Sequence, residues 1–514
     1  MSSAPEQPPH QPDAAAPESD VPEQMRVRRD KRERLLERGM APYAVTVPRT
    51  HSLAEAAALG EPLEAGDEPT GEGFVVSVTG RIVFQRNTGK LCFATLQEGQ
   101  GTRLQVMLSL AEVGQDQLDA WKADVDLGDH VSVTGHVVRS RRGEVSVMAT
   151  TWVMASKALR PLPTLHKDLS EETRVRQRYA DLIVRQEARD MVRLRATVLR
   201  SIRSTLDGFG FVEVETPILN LSHGGAASPF TTHLNAFDID MNLRAYTELW
   251  LKRAVVGGVD RVYEIGKVFR NEGVDSTHSP EFTELEFYEA YGDQFTAADR
   301  TRTIILDAAE ATGRGTSLRD YRGREIDVSG EWRWLPICEG VGQALGEEIL
   351  PDETPDNAER LRRLAAARDI ALKPAWGAGE IILELFEQLV EHTLLQPTFV
   401  CDYPESVRPL ARAHRTEPGL VEAWDLIVGG VELAPSYSEL VDPVVQRERL
   451  TAQAALAARG DDEAMELDED FLRALEYGAP PMGGTGMGVD RLIMLLTGTG
   501  IRETILFPHL KPQA

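Results

Sequence analysis

One stretch constrains this chain more than any other: Val268-Phe-Arg-Asn-Glu-Gly-Val-Asp-Ser-Thr-His-Ser-Pro-Glu-Phe-Thr-Glu-Leu-Glu-Phe-Tyr288. Tyr263–Phe269 and Thr283–Tyr288 carry the pattern of β-strands, so the polar residues between them form a loop on a sheet. That loop concentrates Arg270, Asn271, Glu272, Asp275 and His278. The planar guanidinium of Arg270 suits a bidentate grip on a phosphate or carboxylate, and Phe282 offers a flat face to a base. Strand side chains alternate, so Glu284, Glu286 and Tyr288 share one face. Carboxylates beside an arginine suit a ligand that carries both an ammonium and an anion. The other reading is a merely exposed charged hairpin, and the density of functional groups argues against it.

Three further stretches carry chemistry. In Gly483-Gly-Thr-Gly-Met-Gly-Val-Asp-Arg491, spaced glycines allow a ligand close to the backbone. Arg491 then starts a helix, within reach of a polyphosphate; simple packing of a glycine-rich strand on a helix is the plainer account. Neither GxxxxGK[ST] nor a dinucleotide fingerprint occurs, so a bound nucleotide would not sit in a P-loop. Ile427–Leu433 reads as a strand. Asp425 and Glu432 flank most of it and converge as Mg2+ ligands only if the chain between them folds back; otherwise they are unrelated solvated acids. Gly210–Leu219 follows an amphipathic helix over Glu187–Gly208. It reads either as an edge strand, Val212–Glu215, stopped by Pro217, or as part of a helix-plus-strand dimer element.

The 514 residues carry 56 Lys and Arg against 81 Asp and Glu, a formal charge of -25. Bulk charge therefore gives no support for RNA binding, which would need a local basic patch. Met25–Gly39, with Arg26, Arg28, Arg29, Lys31, Arg32 and Arg34, is such a patch on a helix. It is either a solvated face with pairs such as Asp30–Arg34 or an RNA-phosphate contact. Residues 1–22 read as a disordered tail and 23–73 as a helical extension. From 74 to 157 come short β segments: Phe74–Val78, Gly80–Phe84, Cys92–Leu96, Leu104–Leu108, Val131–Val138 and Glu144–Met148. These predict a small β-barrel. A linker over 158–168, stiffened by Pro161 and Pro163, leads into a mixed region from 169 to 514. There Ala358–Thr393 reads as mostly helical, with a break near Pro374. Cys92, Cys338 and Cys401 form no CxxC, which excludes a disulfide scaffold and suits a reducing cytosol. No apolar run is long enough for a transmembrane helix, and there is no signal-peptide pattern.

Taken together, these stretches resemble the signature motifs of class II aminoacyl-tRNA synthetases, most closely the bacterial lysyl-tRNA synthetases. Arg174-Val-Arg-Gln-Arg-Tyr-Ala-Asp-Leu182, Tyr437-Ser-Glu-Leu-Val-Asp-Pro443 with Gln446-Arg-Glu-Arg449, and Ile505-Leu-Phe-Pro508 extend the resemblance over nearly the whole chain. It implies an α+β protein: an N-terminal OB-fold barrel for the tRNA anticodon, and a catalytic domain on an antiparallel sheet flanked by helices. It also implies a cytoplasmic homodimer, formed through Gly210–Leu219, that charges tRNA with lysine using ATP as substrate and Mg2+. Arg270 and Arg491 would be catalytic and, with Glu272, His278 and Phe282, would hold ATP. Asp425 and Glu432 would hold Mg2+. Gly225, Glu248 and Glu286 match positions around the α-amino group, and Tyr288 and Glu439 those that receive the ε-ammonium. Phe93, Gln105, Arg81 and Glu144 would meet the anticodon, Phe93 by stacking; ordinary barrel core is the other reading of Phe93.

Departures from the family pattern gather at the amino-acid pocket. Gly224-Gly-Ala-Ala-Ser-Pro-Phe230 is one residue short and lacks the usual Arg. Ala245-Tyr-Thr-Glu-Leu249 replaces I-A-P-E-L. Pro435 stands where an Asn is usual, Val441 replaces another Asn, and Asp425 replaces a commoner Glu. Two expectations follow: drift within a working lysine enzyme, or a relative with altered amino acid, altered acceptor or no activity. Retention of Tyr288 and Glu439 favours a cationic substrate side chain.

Overall fold

The computed structural model describes residues 22–69, 71–163, 169–221, 227–457, 465 and 467–512. The predicted tail over 1–22 lies almost wholly outside them. Two compact units divide between Arg189 and Asp190.

In the first unit, five strands close into a barrel: β1 (Val75–Thr88), β2 (Leu91–Gln97), β3 (Arg103–Ser109), β4 (His130–Arg139) and β5 (Val145–Ser156). Their order is β1-β2-β3-β5-β4, with β3 and β5 parallel. The segments expected at Phe74–Val78 and Gly80–Phe84 are one strand, because Gly80 lies within the ladder instead of turning the chain. Its Cβ would meet Leu96 Cβ at 2.9 Å, so glycine there serves close packing. Alternation puts Val76, Val78, Leu96, Val106, Val133 and Val147 inside, around the edge-to-face pair Trp121–Trp152.

The basic helix forms over Glu23–Glu37, and much of its charge is used within the unit. Arg34 and Arg38 pair with the buried Asp124, Lys31 pairs with Asp126 at 2.6 Å, and Arg28 donates to the carbonyls of Leu127 and Ala158. Arg34 thus reaches across to Asp124, where sequence spacing had suggested Asp30. The helix is docked by these contacts, which leaves Arg26 and Arg29 exposed and Arg32 paired with its neighbour Glu33.

In the second unit, the main sheet uses β6 (Val212–Glu213), β7 (Arg261–Phe269), β8 (Glu281–Ala290), β9 (Arg333–Pro336), β10 (Thr398–Pro404), β11 (Leu420–Val428), β12 (Val431–Ser438) and β13 (Met482–Gly488). The order is β9-β10-β11-β12-β13-β8-β7-β6. The six central strands are antiparallel, and a short parallel strand is added at each edge. Ile427–Leu433 is therefore two strands joined by a turn: Gly429 and Gly430 both take positive φ there and reverse the chain. The helical block resolves into Pro355–Ala366 and Ala378–Leu389, broken around Pro374.

One face of the sheet carries Tyr263, Leu285, Phe287, Trp424, Leu426 and Met487. It packs on Val198, Ile202 and Leu206 of the helix Gln186–Gly208 and on Ile304, Ile305 and Ala308 of the helix Gln294–Ala311. The opposite face is the one left for chemistry. No helix among the described residues is long and apolar enough to cross a membrane.

Gly135 tests the barrel packing. A Cβ there would lie 1.9 Å from the carbonyl oxygen of Met148, on backbone that cannot yield cheaply. Gly135→Ala should cost about 1–3 kcal/mol, read as a lower urea midpoint for barrel unfolding; an unchanged midpoint would contradict this packing.

Candidate active site

Strand β13 clears the ground for a ligand. Gly484, Gly486 and Gly488 pair with Tyr288, Glu286 and Glu284 of β8, so all six residues share one face. A Cβ at Gly484 would meet the Tyr288 ring at 2.2 Å and Glu439 Oε1 at 2.6 Å. The intervening Thr485 and Met487 point to the core, so β13 is bare on one face only.

A cleft opens over this face. Arg270, Glu272, His278, Phe282, Glu284, Glu432, Pro435 and Arg491 line it. The loop between β7 and β8 is closed at its base by Arg270 N–H donating to Pro280 O. The Arg270 guanidinium lies 4.5 Å from the Tyr246 ring centroid and 5.2 Å from that of Phe282. Rings on such a cation hold it electrostatically while leaving its N–H groups free for an anion. Asp275 accepts from the backbone N–H groups of Thr277 and His278 and lies 2.8 Å from His278 Nδ1. Burial works to raise the Asp275 pKa, but these bonds hold it at about 2. With Nδ1 committed to Asp275, Nε2 of His278 is free to accept, and Arg491 Nη2 stands 3.3 Å from it. Asp490, buried at the start of the Arg491 helix, accepts from Thr283 N–H and pairs with Arg195, which fixes where that helix begins.

The amino-acid positions lie deeper on the same face. Glu286 accepts from Thr247 N–H at 2.9 Å and from the Thr247 hydroxyl, and its other oxygen faces the Tyr288 hydroxyl at 3.3 Å. Glu439 is 1 % exposed. Burial pushes its pKa up, to about 8, against the pull of Lys252. Lys252 is buried and lies between Glu248 (2.7 Å) and Glu439. Gly225 lies outside the described residues.

Asp425 and Glu432 are brought onto one face by the β11–β12 turn. Asp425 Oδ2 accepts from Tyr403 at 2.7 Å and pairs with Arg408, while Oδ1 is buried with no hydrogen-bond partner among the described residues. Glu432 is half-exposed and lines the cleft. One orphaned carboxylate oxygen and one accessible carboxylate fit a hard divalent cation that completes its shell with other oxygens. Among the described residues, no cluster of three or more His, Cys, Asp or Glu side chains could hold a metal without such additions.

Residues 170–511 match the family model for tRNA synthetases class II (D, K and N), and residues 76–155 match the one for an OB-fold nucleic acid binding domain. The lysine–tRNA ligase of Kineococcus radiotolerans is 58% identical over 498 residues, covering 96% of this chain and 98% of that protein. The chain belongs to the class II lysine–tRNA ligases. The ligase of Mycobacterium tuberculosis strain H37Ra is 56% identical over 512 residues, 98% of this chain and 99% of its own. The lysylphosphatidylglycerol biosynthesis bifunctional protein LysX of Mycobacterium avium is 48% identical over 510 residues; the match spans 98% of this chain and 42% of that longer protein.

The fold thus gathers all five expected ATP residues of this ligase into one cleft, with Glu248, Glu286, Tyr288 and Glu439 beneath. It also brings in residues that sequence reasoning left out of the site: Lys252, Glu284, Tyr246 and Thr247. The i,i+4 spacing of Glu248 and Lys252 was the available signal for the first. Period-two alternation already put Glu284 on the right face. In the barrel, Phe93 alternates with the buried Cys92 and Ala94 and stays half-exposed, so it is not core. Its face also holds Gln105, bonded to Glu144 at 2.6 Å, and the exposed Phe84. Arg81 sits opposite Gln97 at the far end of that face, donating to Gly128 O; Arg86 is the arginine opposite Phe93.

Glu284 reports on the cleft. Burial raises its pKa to about 7 while Arg270, 3.7 Å away, pulls it down. Carboxyl 13C NMR should show a Glu284 midpoint near 7 that moves upward in Arg270→Ala. An unmoved midpoint would contradict the pairing.

Proposed function

We propose that this chain activates lysine with ATP and transfers it to tRNA(Lys), using the residues gathered on the bare face of β13. The observation that carries the reading is the pairing of a cleft lined by Arg270, His278, Phe282 and Arg491 with three carboxylates, Glu248, Glu286 and Glu439, of which the last two are buried. Full-length identity to lysine–tRNA ligases favours the working enzyme over a repurposed relative.

In the first step, a carboxylate oxygen of lysine attacks the α-phosphorus of ATP. The bond from that phosphorus to the bridging oxygen breaks, and pyrophosphate leaves. Arg270, free of strong side-chain partners apart from Glu284, would draw the substrate carboxylate and the α-phosphate together; positioning and charge neutralisation supply most of the rate in such chemistry. Phe282 would stack on adenine, Glu272 and His278 would hold the nucleotide, and Arg491 would cover the polyphosphate. Mg2+, held by Asp425 and Glu432, would neutralise charge on the departing pyrophosphate. In the second step, a terminal ribose hydroxyl of the tRNA attacks the acyl carbon and AMP leaves. Glu248 and Glu286 would face the α-ammonium, Tyr288 and Glu439 the ε-ammonium. A neutral side chain would leave the buried Glu439 uncompensated, which is a strong basis for rejection.

The anticodon would meet the barrel face carrying Phe93, Gln105 and Glu144, with Arg81 at its margin. Three free cysteines, two of them buried, suit a reducing cytoplasm. A homodimer through the segment after the long helix is supported by exposed apolar side chains at Val212, Ile218, Leu219 and Leu221. Sedimentation at micromolar concentration should give twice the chain mass, and a monomer would refute the dimer.

Amino-acid-dependent ATP–pyrophosphate exchange tests the main reading. Lysine should drive it far better than ornithine, arginine, β-lysine or neutral amino acids, and Arg270→Ala should abolish it in a folded protein. Exchange that ignores lysine, or that survives in the variant, would overturn the assignment.

A further inference from the structure

The pocket already contains an ammonium. Lys252 is 1 % exposed, and its Nζ lies 2.7 Å from Glu248 Oε1, in ion-pair contact with Glu439 Oε2 and 5.8 Å from the Tyr288 ring centroid. Helical spacing sets the Glu248 contact, four residues back on Glu248–Val256. The Glu439 contact is long-range and belongs to the fold. Both Glu439 oxygens are buried with no hydrogen-bond partner among the described residues; Oε2 has its ion pair to Lys252, and Oε1 has neither. One oxygen of the carboxylate is thus taken by the chain's own lysine, and the other is open to a donor.

Charge counting gives this arrangement a purpose. Glu248, Glu286 and Glu439 carry three negative charges here when all are ionised, Glu286 and Glu439 buried and Glu248 partly so. Free lysine brings two ammoniums, and its carboxylate is directed to Arg270. One negative charge is left over, and a buried unpaired charge is costly. Lys252 supplies the third cation.

Resting on the lysine reading above, we propose that Lys252 is a positioning residue for the amino-acid substrate: a built-in ammonium that stays on Glu248 and Glu439 and shares Glu439 with the ε-ammonium of bound lysine. The groups facing Glu439 are Glu248 and Lys252 from the helix, Tyr288 from β8, and Tyr437 from β12; β13 contributes only the bare Gly484. Lys252 is the one cation among them. It pulls the Glu439 pKa down, against burial and the like charge of Glu248. Burial opposes the Lys252 charge, but the two carboxylates more than offset it and hold its pKa above the ordinary lysine value.

The test is the pH profile of lysine-dependent pyrophosphate exchange in the full chain. In the parent, kcat/KM for lysine should rise with pH until Glu439 ionises, near 8, because the profile reports the free enzyme. In Lys252→Gln, KM for lysine at pH 7 should increase about 10- to 100-fold, KM for ATP should stay within about twofold, and the acid limb should move to higher pH. The substrate's own amino groups titrate identically in both proteins, so the displacement belongs to the pocket. Lys252→Arg keeps the charge and should keep the limb near its parental position. That variant decides the matter if the glutamine form does not fold. A lower lysine KM in Lys252→Gln would mean that the side chain competes with substrate, and would overturn the proposal. So would an unmoved limb in Lys252→Gln, or a displaced one in Lys252→Arg. Absence of lysine-dependent exchange in the parent would instead bring down the lysine reading on which the proposal rests.

Discussion

The catalytic face depends on one strand having no side chains where a ligand must lie. Period two in Met482–Gly488 does this with glycine at 484, 486 and 488, while Thr485 and Met487 anchor the strand in the core on the other side. A glycine-rich strand would ordinarily be a weak one, since it packs little and loses more entropy on ordering. Here it is held between β8 and β12 in a central position, and neighbours supply the stability it lacks. The cleared floor lets Glu284, Glu286 and Tyr288 stand over open space in a buried sheet. Every polar group of the site is placed relative to that track.

Clearing the floor creates an electrostatic problem that the surrounding residues solve piecewise. A carboxylate taken out of water must find a cation or donors. Glu284 has Arg270. Glu286 has the backbone N–H and hydroxyl of Thr247, at a position where the family pattern has proline, which offers neither. Glu248 and Glu439 share Lys252. Thr247 thus turns an apparent departure into a gain for Glu286: the substitution supplies two donors to the carboxylate proposed to face the α-amino group. Tyr246, in place of the usual alanine, lays its ring on Arg270 and steadies the guanidinium without using its N–H groups. Read from sequence alone, these changes fitted either drift in a working lysine enzyme or a relative with altered or no activity. The contacts show them shoring up the pocket's two central charged residues.

Much of the architecture was legible because it is written in local periodicity. The barrel strands, the hairpin around Arg270, the helix Gln186–Gly208 and the break near Pro374 all follow from alternation, helical spacing and proline. The errors have local causes too. Phe74–Val78 and Gly80–Phe84 were read as separate strands, but Gly80 is a close-packing glycine inside one long strand. Gly429 and Gly430 were passed over as a turn because the apolar residues on either side made a continuous run. The docking of the basic helix and the contact of Lys252 with Glu439 were out of reach for a different reason. Asp124 and Glu439 lie far along the chain from their partners, and no spacing rule connects residues that only tertiary structure brings together. Arg270, Glu272 and His278 were visible as a group because a single hairpin carries them, whereas Asp425 and Glu432 depended on a turn the pattern hid.

The same contrast explains how the site can be selective. The nucleotide cleft is built from arginines, a ring and an imidazole around partly open space, suited to a ligand held by stacking and phosphate charge. The proposed amino-acid site is acidic, with Lys252 offsetting one of its three carboxylates from within. A ligand with two ammoniums completes its charge balance; one with a single ammonium leaves a buried carboxylate short of a partner, and one with an acidic side chain adds another negative charge. On the proposed assignment, discrimination comes from a deficit set before substrate arrives, and its size depends on the cation, Lys252, that the chain itself keeps beside Glu248 and Glu439.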